Sequence, residues 1–286
     1  MSDASVAGGA WRLAGHLGLS SPQAPLLAHL ARSVAPLDQI DALADRGFAG
    51  VQDLFLKLRP PEEQAAMARR MAERGLSLSS FGGDPLHWNA PLWSGADQAA
   101  VLESVTASAA IAQMFGGAGA VCVTGIDPGR AFGAQIDGMI ANLKAAAPIA
   151  MRGGLTLLVE PIAPQRIPGM LLDRLEPAIA IVRAVDAPSV RLMFDIGHVA
   201  MMGHDVADAI YGCADIIGCV QACDVDGRER VDIGRGTLDW PAIRDALQGI
   251  GEDGIVELEH EPVDATAAGE AAMLRRLARI MDNQKS

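Results

Sequence analysis

Four oxygen-bearing side chains recur at the ends of apolar runs. Glu160 closes LTLLVE, Asp195 closes VRLMFD, Gln221 sits in CVQACD and Glu259 in IVELEH. Their separations of 35, 26 and 38 residues are each the length of one strand–helix unit, so no local motif joins them. A carboxylate that ends an apolar strand either surfaces into water or is buried. Burial is costly unless the group is paired, hydrogen-bonded or bound to a metal. Taken singly, each residue reads equally well as a solvated strand end. Brought together, three carboxylates and an amide oxygen would drive protons onto one another. A divalent cation removes that conflict, and an all-oxygen donor set suits a hard ion such as Mg2+ or Mn2+.

The runs that carry these residues belong to a longer series. Candidate strands fall at 11–19, 50–56, 76–81, 120–125, 155–160, 190–195, 216–223 and 254–259. Helical stretches separate them. PLDQIDALADRGF places Leu37, Ile40, Leu43 and Ala44 on one face, and ADQAAVLESVTASAAIAQMFGG is long and rich in alanine. PPEEQAAMARRMAERG has proline at its start, acids in its first turn, bases in its last and a closing glycine, as helix termini favour. TLDWPAIRDALQGIG offers Asp239 as an N-cap with Pro241 in the first turn. Eight strand–helix repeats in 286 residues predict an α/β fold, a (β/α)8 TIM barrel forming a single domain over 1–286. The rival is a doubly wound open sheet, which would normally carry a glycine-rich loop after its first strand. The segment SSPQAPLLAHLARS there has none. In a barrel the four polar strand ends converge on the catalytic face. The two longest connections, 20–35 and 82–96, follow strands and open onto that face.

Composition narrows the partners. Asp plus Glu outnumber Lys plus Arg by 35 to 23, a net charge of -12, which argues against nucleic acid or an anionic membrane. A small-molecule substrate fits, even an anionic one, because a local arginine or a metal can reverse the sign within a cleft. Cys213, Cys219 and Cys223 cluster, but their spacing and the apolar run DIIGCVQAC fit buried free thiols better than zinc knuckles. The N-terminus MSDASVAGGA shows no basic region or apolar stretch, and no run is long enough to span a bilayer. A cytoplasmic protein is the expectation.

The motifs taken in order, Glu160-Pro161-Ile162 with Pro168-Gly169, Phe194-Asp195-Ile196-Gly197-His198, Val220-Gln221-Ala222-Cys223-Asp224 with Gly227-Arg228, and Leu258-Glu259, resemble the xylose isomerase-like barrel superfamily, and most closely its hydroxypyruvate isomerases. GFAGVQDLF resembles the family's second strand. The similarity is strongest over 153–262. It implies one divalent metal, Mg2+ or Mn2+ first and Co2+ or Zn2+ as further options, held by Glu160, Asp195, Gln221 and Glu259. Glu160 and Glu259 would also act as acid and base, with His198 and Arg228 on substrate oxygens. The implied reaction is isomerisation of a small α-hydroxy carbonyl compound, hydroxypyruvate to tartronate semialdehyde or a related sugar, through an enediolate. A ketose 3-epimerase is the alternative. A non-catalytic binding barrel and an endonuclease IV-like repair enzyme follow, the latter disfavoured by six histidines in no matching set and by the acidic charge. Relatives imply a homo-oligomer, a dimer or tetramer.

Some positions depart from the pattern. Gln52 and Asp53 stand where relatives carry Glu, and Arg235 lies between two glycines. His87, Trp88 and Trp93 either line the pocket or pack a loop onto the rim. His16 is either a barrel-mouth contact or a satisfied core histidine. Glu257, two before Glu259, points inward by strand alternation, with Arg191 as its expected partner rather than a second catalytic role.

Overall fold

The computed structural model describes residues 5–6, 11–251 and 254–281. Most of the N-terminal decapeptide read for a leader therefore lies outside the described residues, as do Glu252, Asp253 and 282–286. Ten strands are present among these residues: β1 (Arg12–His16), β2 (Gly50–Asp53), β3 (Ser77–Gly82), β4 (Ala118–Cys122), β5 (Leu155–Val159), β6 (Val190–Asp195), β7 (Ile217–Ala222), β8 (Asp224–Asp226), β9 (Glu229–Val231) and β10 (Ile255–Leu258). The helices are α1 (Ala28–Ala31), α2 (Pro36–Asp45), α3 (Pro61–Arg74), α4 (Gln98–Phe115), α5 (Phe132–Arg152), α6 (Leu175–Val185), α7 (Ile196–Met201), α8 (Val206–Cys213), α9 (Trp240–Gly249) and α10 (Ala267–Met281).

Eight strands close into one parallel barrel in the order β1-β10-β7-β6-β5-β4-β3-β2, the expected (β/α)8 architecture. β8 and β9 form a separate antiparallel hairpin in the connection after β7. The sequence reading missed this pair, although Asp226-Gly227 is a hairpin signal. Pairing Asp226 with Glu229 leaves a two-residue loop, Gly227-Arg228, with Gly227 at φ +64°.

Capping fixes several helix starts as predicted. Asp239 accepts from the Ala242 N–H at 3.1 Å, and α3 begins on Pro61 and ends before Gly75, whose φ of +69° suits a residue without Cβ. The main core lies between barrel and helices. It is aliphatic, with Leu13, Leu43, Val101, Leu157, Ile181 and Leu247 all buried. A second, smaller apolar cluster of Val121, Leu158 and Met193 fills part of the barrel interior. The interior of the other strands is polar: His16, Gln52, Ser80, Gln221 and Glu257 are all buried. Register aligns that polarity, pairing Asp195 with Gln221 and Gln221 with Glu257 across β6, β7 and β10. The β6–β7 ladder shifts between Leu192 and Met193, skipping Gly218. A Cβ on Gly218 would lie 2.3 Å from Arg191 Cβ, so glycine permits this close approach. Irregular ladders of this kind re-aim side chains near barrel sites.

Glu257 does not pair with Arg191. The Arg191 guanidinium donates to the carbonyls of Asp215 and Ile217 at 2.6 and 3.3 Å, whereas Glu257 accepts from the Gln221 amide. Arg191 pairs with Leu158 in register and lies two residues before Met193, so it shares their inward parity, but its guanidinium ends on the carbonyls that precede and open β7 and not on Glu257. The four cysteines form no disulfide with one another; three are buried and Cys219 is half-buried. No helix among the described residues is long and apolar enough to cross a membrane.

Candidate functional site

Each strand end delivers its side chain by a local device. Glu160 follows β5 directly and stays 7% exposed, its N–H donating to the Cys122 carbonyl at 3.3 Å. Asp195 ends β6 and caps α7: its Oδ1 accepts from the His198 N–H at 2.9 Å. That cap explains the Asp-x-x-His spacing, because it fixes His198 in the first turn beside the carboxylate. Gln221 is held by its amide nitrogen, which donates to Glu257 Oε2 at 3.0 Å and leaves Oε1 without a partner. Glu259 follows β10, its N–H on the Ala222 carbonyl at 2.9 Å, with Oε2 unpartnered and Oε1 facing Arg230 at 3.1 Å.

These groups open onto one cavity of about 570 Å3, with Glu160, His198, Gln221, Arg230 and Glu259 in its wall. Glu160 Oε1 and Asp195 Oδ2 lie 3.8 and 3.9 Å from His198 Nε2, close enough for one ion to reach all three. Burial, reinforced by the charges of Asp195 and Glu259, raises the pKa of Glu160 well above the ordinary value. Burial likewise raises Glu259 to about 7, against the opposing pull of Arg230. His198 is pushed down to about 3, chiefly by desolvation, and is neutral. The Ala163 N–H donates to its Nδ1 at 3.3 Å, which assigns the proton to Nε2. An imidazole in that tautomer donates to a ligand oxygen rather than binding a metal through Nε2.

The residues fit a hard divalent cation. Glu160, Asp195 and Glu259 supply carboxylates, and the orphaned oxygens of Gln221 and Glu259 want a positive partner. One cation is already there. Arg230 Nη2 donates to Asp195 Oδ2 and lies 2.8 Å from His198 Nε2, while Nη1 donates to Glu259. Burial lowers the pKa of Arg230, but the facing carboxylates outweigh it and hold the guanidinium charged.

Arg230 was not anticipated. The arginine expected on the substrate, Arg228, is the second residue of the hairpin loop and is exposed; Arg230, within β9, is the one that reaches Asp195 and Glu259. Two buried aspartates anchor this hairpin. Asp224 accepts from the N–H groups of Val225, Gly234 and Leu238 at 2.9, 2.9 and 3.1 Å and from Trp240 Nε1 at 2.8 Å. Asp232 accepts from the Val263 N–H at 3.0 Å and from Arg276 at 3.4 Å.

The other expected contacts divide. Trp88 lines the cavity. His87 is exposed beside Asp84 at 3.4 Å and does not line it, and Trp93 is a buried core residue. His16 is fully buried within the barrel, Nε2 on the His260 carbonyl at 3.0 Å, with its pKa lowered to about 3 by burial. Gln52 is buried near enough to Glu259 to favour its ionised form. Asp53 turns away to Arg59 at 2.5 Å, and Arg235 pairs with Asp232 at 3.6 Å outside the cavity. Arg166, a further unanticipated cation, lines the cavity and is loosely paired with exposed Glu229 at 3.5 Å.

Comparison with known proteins places this geometry. The family model described as "Xylose isomerase-like TIM barrel" matches residues 40–277. A 2-oxo-tetronate isomerase from Cupriavidus necator is 30% identical over 243 residues, covering 82% of this chain and 90% of that protein. A hydroxypyruvate isomerase from Escherichia coli is 27% identical, over 58% of this chain and 64% of its own length. Among solved structures, an AP endonuclease, family 2, from Brucella melitensis shares the fold with a TM-score of 0.76 at 23% identity, covering 86% of this chain and 93% of that one. A 3-keto-D-glucoside 4-epimerase from E. coli does so with a TM-score of 0.73 at 16% identity, covering 94% and 99%.

Proposed function

The chain belongs to the xylose isomerase-like TIM-barrel family, and from that premise we propose that it is a metal-dependent isomerase of a short hydroxy-oxo acid, of the hydroxypyruvate or 2-oxo-tetronate kind. The observation that carries this reading is the convergence of Glu160, Gln221 and Glu259 on one cavity, with Asp195 beside Glu160 and His198 and the outward oxygens of Gln221 and Glu259 unpartnered. Two relatives named for such acids support the substrate class.

A bound Mg2+ or Mn2+ would polarise the substrate carbonyl and offset the charge of an enediolate. Glu259, with its pKa near neutrality, is the group suited to take the carbon-bound proton beside the carbonyl. Glu160, in the same cavity wall, is placed to return one to the neighbouring carbon. His198 donates Nε2–H to the substrate oxygen whose charge grows, and its neutrality keeps that proton in place. The C–H bond breaks at one carbon and forms at the next, while a hydroxyl proton crosses between the two oxygens. Glu257 fixes the Gln221 amide so that its oxygen faces the cradle.

A ketose 3-epimerase is the second reading, favoured by a cavity large enough for a free sugar. The cations of its wall argue for the acid. Arg166 and Arg230 stand in it and suit a carboxylate, whereas Asp84, Glu229 and Glu261 in the same wall are the groups a sugar's hydroxyls would use. The test is deuterium incorporation from D2O, followed by NMR, on hydroxypyruvate, 2-oxo-tetronate and free ketoses with Mn2+ or with chelator. Metal-dependent exchange on the acids alone supports the isomerase. Exchange on the ketoses alone selects the epimerase, and none on any substrate removes both.

A further inference from the structure

We propose that Arg230 is the resident counter-ion of the metal-free site, and that a divalent cation displaces it from Asp195 and Glu259 into the cavity. This rests on the reading that the cradle takes a cation. The site carries three carboxylates, and Arg230 is the guanidinium placed among them: Nη2 on Asp195 Oδ2, Nη1 on Glu259 Oε1 at 3.1 Å. Asp195 Oδ2 is an oxygen that an incoming ion would need, because Oδ1 caps α7, whereas Glu259 keeps Oε2 open beside the guanidinium. A Mg2+ ion binds carboxylate oxygens at roughly 2.0–2.1 Å, and the guanidinium already contacts both carboxylates from the same side. Two positive groups on one oxygen pair also repel strongly in a buried site.

The resting contacts of Arg230 are themselves incomplete. Its Nε has no acceptor, and Nη2 lies 2.8 Å from His198 Nε2. The Ala163 N–H occupies Nδ1 of that ring, so Nε2 carries a proton and two donors face each other. Departure of Arg230 relieves that contact and frees Nε2–H for a ligand. Displacement needs only side-chain rotation, because the backbone at both ends of the hairpin is tied down through Asp224 and Asp232. The arm moves within the cavity it already lines, where Arg166 is the other guanidinium. A displaced Arg230 would therefore double the positive charge facing an acid substrate, so the ion that completes the chemistry also completes the recognition of a carboxylate.

The test uses Mn2+ and Mg2+ alone with the purified full chain and no substrate. Calorimetry at pH 8 should show Arg230→Met binding Mn2+ roughly tenfold or more tighter than wild type, because no buried positive charge need be moved. Equal or weaker binding overturns the proposal. In wild type, the Nε–Hε resonance of Arg230, assigned by its loss in Arg230→Lys, should shift as Mg2+ saturates the site. A resonance unmoved at saturation overturns it, and Arg230→Gln, which also lacks the charge, serves the calorimetry if the Met variant does not fold. Failure of both proteins to bind a divalent ion removes both this proposal and the metal-dependent function. Binding with displacement but no proton exchange on any substrate would leave the proposal standing and remove the isomerase.

Discussion

The amide nitrogen of Gln221 donates to Glu257 Oε2 at 3.0 Å, and this one bond decides which end of the amide faces the cavity. Glu257 is fully buried and its charge also bears on Glu160 and Glu259, but its hydrogen bond toward the cradle runs through Gln221. Glu257→Ala is expected to weaken Mn2+ binding by about 10- to 100-fold, the usual loss when an outer partner of a metal ligand is removed. Calorimetry measures it. An unchanged affinity would show that Gln221 needs no orienting partner.

Glu160→Gln and Glu259→Gln each remove a proton carrier while nearly preserving shape. Exchange of substrate carbon-bound hydrogen should fall by about 10²–10⁴-fold or more in each, the range for general acid–base groups. Deuterium NMR reads the rate. Exchange at the wild-type rate in either variant would eliminate the two-glutamate mechanism.

Metal affinity should depend on pH with a definite sign. The folded pKa of Glu259, about 7, lies above its ordinary 4.5, and Glu160 is likewise raised by burial. The folded, metal-free protein therefore holds protons that the unfolded chain releases from about pH 4.5 upward, so these groups subtract stability as pH rises through 7. A cation binds the ionised form, so affinity climbs over the same window and levels off above it. His16 and His198, held near 3, act oppositely between 3 and 6.5. The difference in Tm between Mn2+-loaded and chelated protein isolates the carboxylates. It should widen from pH 5 to 8, and a constant difference would contradict the assignment.

Asp224 satisfies three backbone donors and the Trp240 indole at the base of the hairpin. Asp224→Ala would leave buried donors unpaired at about 1–3 kcal/mol each, before any rescue by water. A loss of about 3 kcal/mol or more is expected by denaturant unfolding. A loss under 1 kcal/mol would mean that the hairpin is held by other contacts.

Arg228→Ala should be nearly silent. The side chain is exposed on the hairpin loop, and such positions usually lie within about 0.5 kcal/mol of wild type. A raised KM for an acid substrate in this variant, with Arg230 intact, would return the substrate contact to Arg228.

The barrel was legible because its signal is repeated: eight apolar runs at strand–helix spacing leave few other architectures, and the strand set found matches them within a few residues. Glu160, Gln221 and Glu259 were visible for a related reason, as polar groups closing apolar strands that reach one cavity. Asp195 lies beside them, joined through His198 and Arg230. Arg230 was hidden by the position of the turn. Arg228 and Arg230 share one parity, but the two-residue turn leaves Arg228 in the loop and Arg230 in β9, and a motif match cannot locate that turn. Glu270 was hidden by distance. Its buried carboxylate accepts from the N–H groups of His29 and Leu30 at 2.9 and 2.7 Å, across some 240 residues of sequence. Charged partners of that kind leave no local periodicity to read.

Asp232 joins the hairpin to α10 through Arg276, and Glu270 on the same helix holds the start of α1 beneath the first long connection. The last helix thus grips two loops that flank the β1 side of the barrel and carry residues of the cavity wall, Leu19 and Ser20 on one and Arg230 on the other. For anyone engineering this protein, α10 is a poor place for a truncation or a rigid fusion. Disturbing it would be registered less as lost solubility than as a change in ion affinity and substrate choice at the opposite end of the chain's fold.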